Sequence, residues 1–303
     1  MRPTPRQYCV VNRTVPLLRL YFDGHSCLQP DFRLTRRSFN ALLDTLGRQY
    51  DHGWGPEIET LVFLFWLASA TSYRVVARAF DMPRSTVHRV VHKVSKKVAN
   101  LLHTVVRHPT GQELPRLGAR FARPLLMTAY FIDVVVGFCG SVHDARILYN
   151  SPIYYNALYP PPGYSILGDG GYPCLTQPIS LMTPFRLPLQ NHVQGRYNSC
   201  LSKARVVVER AFGIMKTRWR TTFLKALEVD VTYAPEVIVC CTVLHNICLT
   251  NGDVLEPEGL MMQGGGGGAP PPVHGPAPDG AVSGAADRQR MALACVVPDH
   301  DYI

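Results

Sequence analysis

No C-x-x-C pair occurs among the nine cysteines, and none of them stands with histidine at zinc-finger spacing. That excludes a zinc ribbon or finger, and an odd, scattered set argues for a reduced compartment with mostly buried thiols. Long apolar runs are lacking too. The longest charge-free apolar stretch, Leu61–Ala70, falls well short of a bilayer core of roughly 30 Å. The first residues, MRPTPRQYCVVNRTV, carry no apolar signal core, so the sequence reads as soluble and intracellular. There is no internal repeat and no compact basic import signal.

Acidic residues are scarce in the front of the chain. Residues 1–123 hold 19 Lys/Arg against 8 Asp/Glu, whereas the remainder holds 12 against 14. A balance of +11 followed by −2 suggests that the front half meets a polyanion. With 303 residues, 47 % of them hydrophobic, the chain has material for one large or two modest cores.

Residues 1–30 show no clear periodicity and read as an extension. From 31 to 123 the pattern is helical. Phe32, Phe39, Leu42, Leu43 and Leu46 share one face, and Glu57–Ala70 is a helix buried on most sides. Ser72–Phe80, Asp81-Met82-Pro83 and Ser85 to about Leu102 then read as helix, tight turn, helix, with Ser85 as N-cap. Val87, Val90, Val91, Val94 and Val98 form the buried stripe of the second helix. Its other side carries Arg84, His88, Arg89, His92, Lys93, Lys96 and Lys97, a basic face fit for a major groove or for phosphates. Arg84, His88, Arg89 and Lys93 are the candidate DNA contacts here; a plain surface helix of a small bundle is the competing reading.

From 124 to 258 the texture changes. Leu125–Phe138, β-branched and aromatic, suits a buried strand or strand pair. Ser165–Gly171 is a short strand entering a glycine turn, residues 203–224 a helix, and Pro235–Thr250 another. Residues 259–303 begin with a Gly/Pro-rich run that cannot bury a core and reads as a disordered tail. Asp169 sits at a strand end among glycines, and Asp144 follows another apolar segment. Glu209 lies in the helix VVVERAFGIMKTRWR, beside an expected buried stripe of Val208, Phe212, Met215 and Trp219. Arg205, Lys216 and Arg220 lie on nearly the same line as Glu209. A carboxylate flanked by cations suits an acid that holds Mg²⁺ while the cations grip a DNA backbone. A surface Glu209–Arg205 pair explains the spacing equally well. His143 and His245 read as structural, since hard Mg²⁺ prefers oxygen, and the tyrosine cluster 154–164 reads as self-packed.

Four strings, in order and at matching spacing, carry a resemblance: Gly140-Ser141-Val142-His143-Asp144-Ala145-Arg146, Leu167-Gly168-Asp169-Gly170-Gly171-Tyr172-Pro173, Ala204–Gly213 (ARVVVERAFG) and Leu244-His245-Asn246. Together they resemble the Harbinger transposase-derived nucleases, DDE superfamily 4, with relatives similar to plant antagonist-of-like-heterochromatin proteins. Ser72–Arg89 resembles that family's helix-turn-helix, and the similarity runs from about Phe32 to Glu258. The resemblance implies an α/β (mixed-sheet α+β) RNase H-like nuclease domain over 124–258, behind the all-helical segment 31–123. It further implies Asp144, Asp169 and Glu209 as ligands of divalent Mg²⁺ or Mn²⁺, with Asp169 and Glu209 catalytic. DNA is the implied substrate, the nucleus the implied location with the cytoplasm as a second, and a Myb/SANT-like protein the implied partner. Oligomeric state stays open.

One departure is decisive. The family's first acid stands in a Gly-x-Ile-Asp-Gly-type string, and none occurs where Leu117–Arg123 runs straight into Leu125. A skipped exon or a faulty gene model would produce such a gap. Asp133 is the nearest acid, but its position matches a different strand. Losing a bridging ligand removes most activity, so a non-enzymatic DNA-binding or chromatin-associated protein domesticated from a transposase stands as the alternative.

Overall fold

The computed structural model describes residues 12, 14–48, 53–69, 71–115, 130–157, 159–219, 229–253 and 288–289. They fall into two compact units. The first draws on 1–107, 130–137 and 211–259, the second on 108–129, 138–210 and 260–303. The polar tail, Arg220 and residues 125–129 of the expected strand lie outside the described residues, apart from 288–289 of the tail. Among the described residues no helix is long and apolar enough to cross a membrane.

The first unit is helical: α1 (Pro16–Phe22), α2 (Gln29–Phe32), α3 (Arg36–Leu46), α4 (Pro56–Ser69), α5 (Tyr73–Phe80), α6 (Arg84–Ala99) and α7 (Leu102–Val105). Thr35 caps α3, its hydroxyl accepting the Ser38 N–H. The apolar run of α4 is buried from Ile58 to Leu64, as its lack of a polar face requires. Asp81 ends α5 in the left-handed region at φ 52°, and its N–H donates to the Ala77 carbonyl. Pro83 is the N-cap of α6, two residues earlier than the Ser85 reading, and no side chain caps that helix. All five valines of the α6 stripe are buried.

The helix Ala234–Thr250 belongs with the N-terminal helices, burying Val237, Cys240, Val243, Leu244 and Cys248 in their core. Its residue Glu236 accepts from the Ser95 hydroxyl of α6 at 2.6 Å, and the Tyr233 hydroxyl donates to that same Ser95 oxygen at 2.8 Å. Trp66 stacks on both Tyr73 and Tyr233. Arg218 and Asp253 form a buried ion pair at 3.2 Å. Asp253 also accepts from Thr35 N–H and from Gln29, while Arg218 donates to the Arg33 carbonyl at 2.6 Å. Burial raises the Asp253 carboxyl, but these donors and the Arg218 charge outweigh it and hold the group below the ordinary carboxylate range.

Residues 130–137 form no strand, contrary to the sequence expectation; they are irregular, and 131–136 are half-buried. A strand needs a neighbour for its ladder, and here a side chain substitutes. Asn246 accepts the Phe131 N–H at 3.0 Å and donates to the Phe131 carbonyl at 2.7 Å. The buried His245 ring lies edge-on to Phe131 at 5.0 Å, so the Leu-His-Asn string is structural here.

The second unit holds α8 (Asp144–Tyr149), α9 (Pro152–Asn156), β1 (Ile166–Leu167) and β2 (Leu181–Met182). The strands pair in parallel, Ile166 with Leu181 and Leu167 with Met182, and among the described residues this two-stranded sheet stands where a larger mixed sheet was expected. Leu148, Leu175, Ile179 and Leu181 make a small core. The helix α10 (His192–Arg218) starts well before residue 203; its residues 192–210 belong to the second unit and 211–218 to the first. The stripe expected along it is buried only at Met215 and Trp219. Val208 and Phe212 are 53 % and 42 % exposed, because periodicity marks a face but only a packing partner buries it. The remaining helix of the first unit, Ala234–Thr250, is α11.

Candidate active site

β1 delivers Asp169. Its strand ends at Leu167, and Gly168 fits tightly under β2, where a Cβ would meet Leu181 at 3.1 Å. The chain then turns over residues 169–172, with Tyr172 N–H donating to the Asp169 carbonyl. Gly171 N–H donates to Asp169 Oδ1 at 2.8 Å, which orients the carboxylate. Asp144 opens α8, where the His143 ring nitrogen Nδ1 accepts the Ala145 N–H at 3.2 Å and caps the helix. His143 therefore serves the backbone next to Asp144.

The two acids converge on Gly171. A Cβ on that residue would lie 2.6 Å from Asp144 Oδ2 and 3.0 Å from Asp169 Oδ1, so the two oxygens are within 5.6 Å of each other. Only the absence of a side chain at 171 lets both carboxylates occupy this space; its backbone is not in the left-handed region. Arg205 of α10 reaches Asp169 Oδ2 with Nη2 at 3.4 Å. With side chains 31 % and 39 % exposed, this pair contributes about 0–1 kcal/mol. Burial raises the Tyr172 phenol, and the Asp144 and Asp169 charges raise it further against the opposing Arg205, so its hydroxyl remains a protonated donor at neutral pH.

Asp144 and Asp169 are thus brought together, with Arg205 and Tyr172 beside them. Glu209, one turn beyond Arg205, is exposed. Among the described residues no three His, Cys, Asp or Glu side chains gather closely enough to hold a metal ion, so Glu209 does not complete a triad. Asp133 lies in the first unit, half-buried, accepting the Val134 N–H. The pair itself suits a hard divalent cation: two carboxylates with oxygens beside one residue that has no side chain, the remaining positions being left to water and phosphate. Sequence reasoning passed over Gly171 and Tyr172. The doublet Gly170-Gly171 after an acid was the available signal.

On α6, Arg84 and Arg89 are exposed and form no ion pair among the described residues. His88 is exposed but lies 4.3 Å, ring to ring, from His92 and edge-on to Tyr73. Lys93 is committed elsewhere: its ammonium pairs at 2.7 Å with the buried Glu59 of α4. Lys216 is exposed.

Known proteins give the context. The family described as DDE superfamily endonuclease matches residues 127–246. A protein named ALP1-like from Arabidopsis thaliana is 29 % identical over 148 residues, covering 44 % of this chain and 36 % of its own. HARBI1 of Homo sapiens, named as a candidate nuclease, is 27 % identical over 167 residues, covering 51 % of this chain and 46 % of its own, and HARBI1 of Bos taurus matches to the same extent. The chain thus spans less than half the length of these curated relatives. No solved structure matches. These matches support the resemblance to the Harbinger transposase-derived nucleases that the motif strings carry.

Proposed function

We propose that the chain is a transposase-derived, metal-dependent nuclease acting on DNA phosphodiester bonds, built on an RNase H-like core behind a DNA-binding helical segment. The observation that carries this reading is the convergence of the Asp144 and Asp169 carboxylates on Gly171. Asp144 and Asp169 would hold Mg²⁺ or Mn²⁺, which when bound supplies Lewis-acid polarisation of a phosphate oxygen and a more acidic water. The chain's own groups do the rest. Gly171 N–H keeps Asp169 turned toward Asp144, Tyr172 stays protonated as a donor for a phosphate oxygen, and Arg205 supplies a positive charge at the rim. Arg84 and Arg89 hold the duplex from α6 through its phosphates. Nicking of supercoiled plasmid in Mg²⁺ or Mn²⁺, lost in Asp144→Asn and in Asp169→Asn, is the expected result. Undiminished nicking in both variants would sink the assignment.

A second reading has an observation of its own: Glu209 stands outside the acid pair, and the string that bears the family's first acid is missing. On that reading the chain is a chromatin-associated DNA binder that has lost cleavage. It predicts no nicking, together with DNA affinity that falls steeply with salt and survives Asp169→Asn. Nuclear location and a Myb/SANT-like partner belong to both readings, and tagged expression with and without such a partner tests them.

A further inference from the structure

The two oxygens of Asp169 have different holders. Oδ1 takes the Gly171 N–H at 2.8 Å and Oδ2 faces Arg205 Nη2 at 3.4 Å. The Asp144 carboxylate forms no hydrogen bond or ion pair among the described residues, although its charge acts on Tyr172 together with those of Asp169 and Arg205. Two carboxylates and one guanidinium leave the cluster with one net negative charge. A divalent cation shared by the acids would reverse that sign beside the guanidinium, at a separation well inside the screening length and between partly buried groups, so the repulsion is not fully screened. Arg205 is carried on a long helix that has no need to move. Its side chain is half-exposed and its contact with Asp169 is long for a charged hydrogen bond.

We propose that Arg205 is the resident counter-ion of the acid pair: it competes with the divalent cation for Asp169, and on cation binding it transfers to a phosphate of the bound nucleic acid. Arg205 then acts as a positioning residue that couples metal loading to substrate engagement, so the site accepts its cation more readily when DNA is there to take the guanidinium. This rests on the nuclease reading above. It differs from a purely structural ion pair in the sign of one effect. If Arg205 merely braced Asp169 for the metal, removing it would weaken metal binding; a competitor's removal strengthens it.

Mn²⁺ titration of the full chain without DNA, with free Mn²⁺ read by electron paramagnetic resonance, separates these outcomes. Arg205→Ala and Arg205→Gln are expected to bind Mn²⁺ about five- to twentyfold more tightly than wild type, with the gain shrinking at high salt. Arg205→Lys, which keeps the charge, should stay within about twofold. In Mn²⁺ the neutral variants should bind a short duplex more weakly by fluorescence anisotropy, and added duplex should tighten Mn²⁺ binding in wild type only, as reciprocal linkage requires. Equal or weaker Mn²⁺ binding in both neutral variants, with binding still abolished by Asp144→Asn, overturns the counter-ion role and leaves the nuclease reading standing. Failure of wild type and both neutral variants to bind Mn²⁺ overturns both.

Discussion

Replacing Gly171 with alanine should separate chemistry from folding. The added Cβ would lie 2.6 Å from Asp144 Oδ2 and 3.0 Å from Asp169 Oδ1, where ordinary contact begins near 3.4 Å. The Asp144 oxygen must therefore retreat by about 0.8 Å and the Asp169 oxygen by about 0.4 Å. Both carboxylates are half-exposed, so rotation about their side-chain bonds absorbs the shift cheaply. Alanine is compatible with the backbone at 171, and reduced freedom in the unfolded chain returns about 0.4–1 kcal/mol. Stability should thus change by no more than about 1 kcal/mol in either direction. The site has no such tolerance. A misplacement near 1 Å costs on the order of 100-fold in rate, or about 2.7 kcal/mol of transition-state stabilisation. The assay pairs plasmid nicking in Mn²⁺ with a thermal melt followed by circular dichroism. Nicking at the wild-type rate in Gly171→Ala, with an unchanged melt, would refute the claim that the two carboxylates act from one crowded pocket.

Arg218→Met strands the Asp253 carboxylate in the core and should cost about 3–5 kcal/mol, read as a lower urea midpoint. Because the folded-state pKa of Asp253 lies below the ordinary value, its contribution is complete above the unfolded carboxylate pKa of about 3.9 and is lost as pH falls through the folded value. Asp253→Asn should flatten the stability curve below about pH 4; an unaltered acid limb would contradict the sign. On α6, Arg89→Ala should weaken duplex binding and reduce the salt slope by about one, with no change in the melt. Lys93→Ala should do the reverse, losing about 1–3 kcal/mol by leaving Glu59 buried without its ammonium while the salt slope holds.

Much of the helical part was legible because its signals are local. The α6 valines repeat with the helical period and are buried as a set, and the Asp81-Met82-Pro83 break falls where α5 ends. Ser85 misled because its hydroxyl is a good cap, whereas Pro83, with its fixed φ, takes the N-cap place two residues sooner and the helix starts at Arg84. The start of α10 was missed since Gly195, Asn198 and Ser199 dilute the apolar pattern ahead of residue 203. The strand expected across 125–138 does not form over its described residues 130–138, because β structure depends on a remote partner that composition does not supply. For the acids, the glycine turn pointed to Asp169, and the resemblance brought in Asp144. Helix geometry placed Arg205 on the line of Glu209, yet its actual partner is an aspartate 36 residues earlier in the chain. Such contacts are long-range and leave no trace in local spacing.

The Asn246 amide meets both main-chain groups of Phe131, so one side chain does the work that a row of ladder bonds does inside a sheet. Phe131 is thereby registered on α11 by a planar group with a donor end and an acceptor end, while the His245 and Phe212 rings pack against its side chain. Aspartate in place of Asn246 would offer oxygen at both ends and repel the Phe131 carbonyl, and alanine would leave both groups unmet. A shift of one residue along the 130–137 stretch would also need a new clasp, so the amide works as a fastener with only one setting.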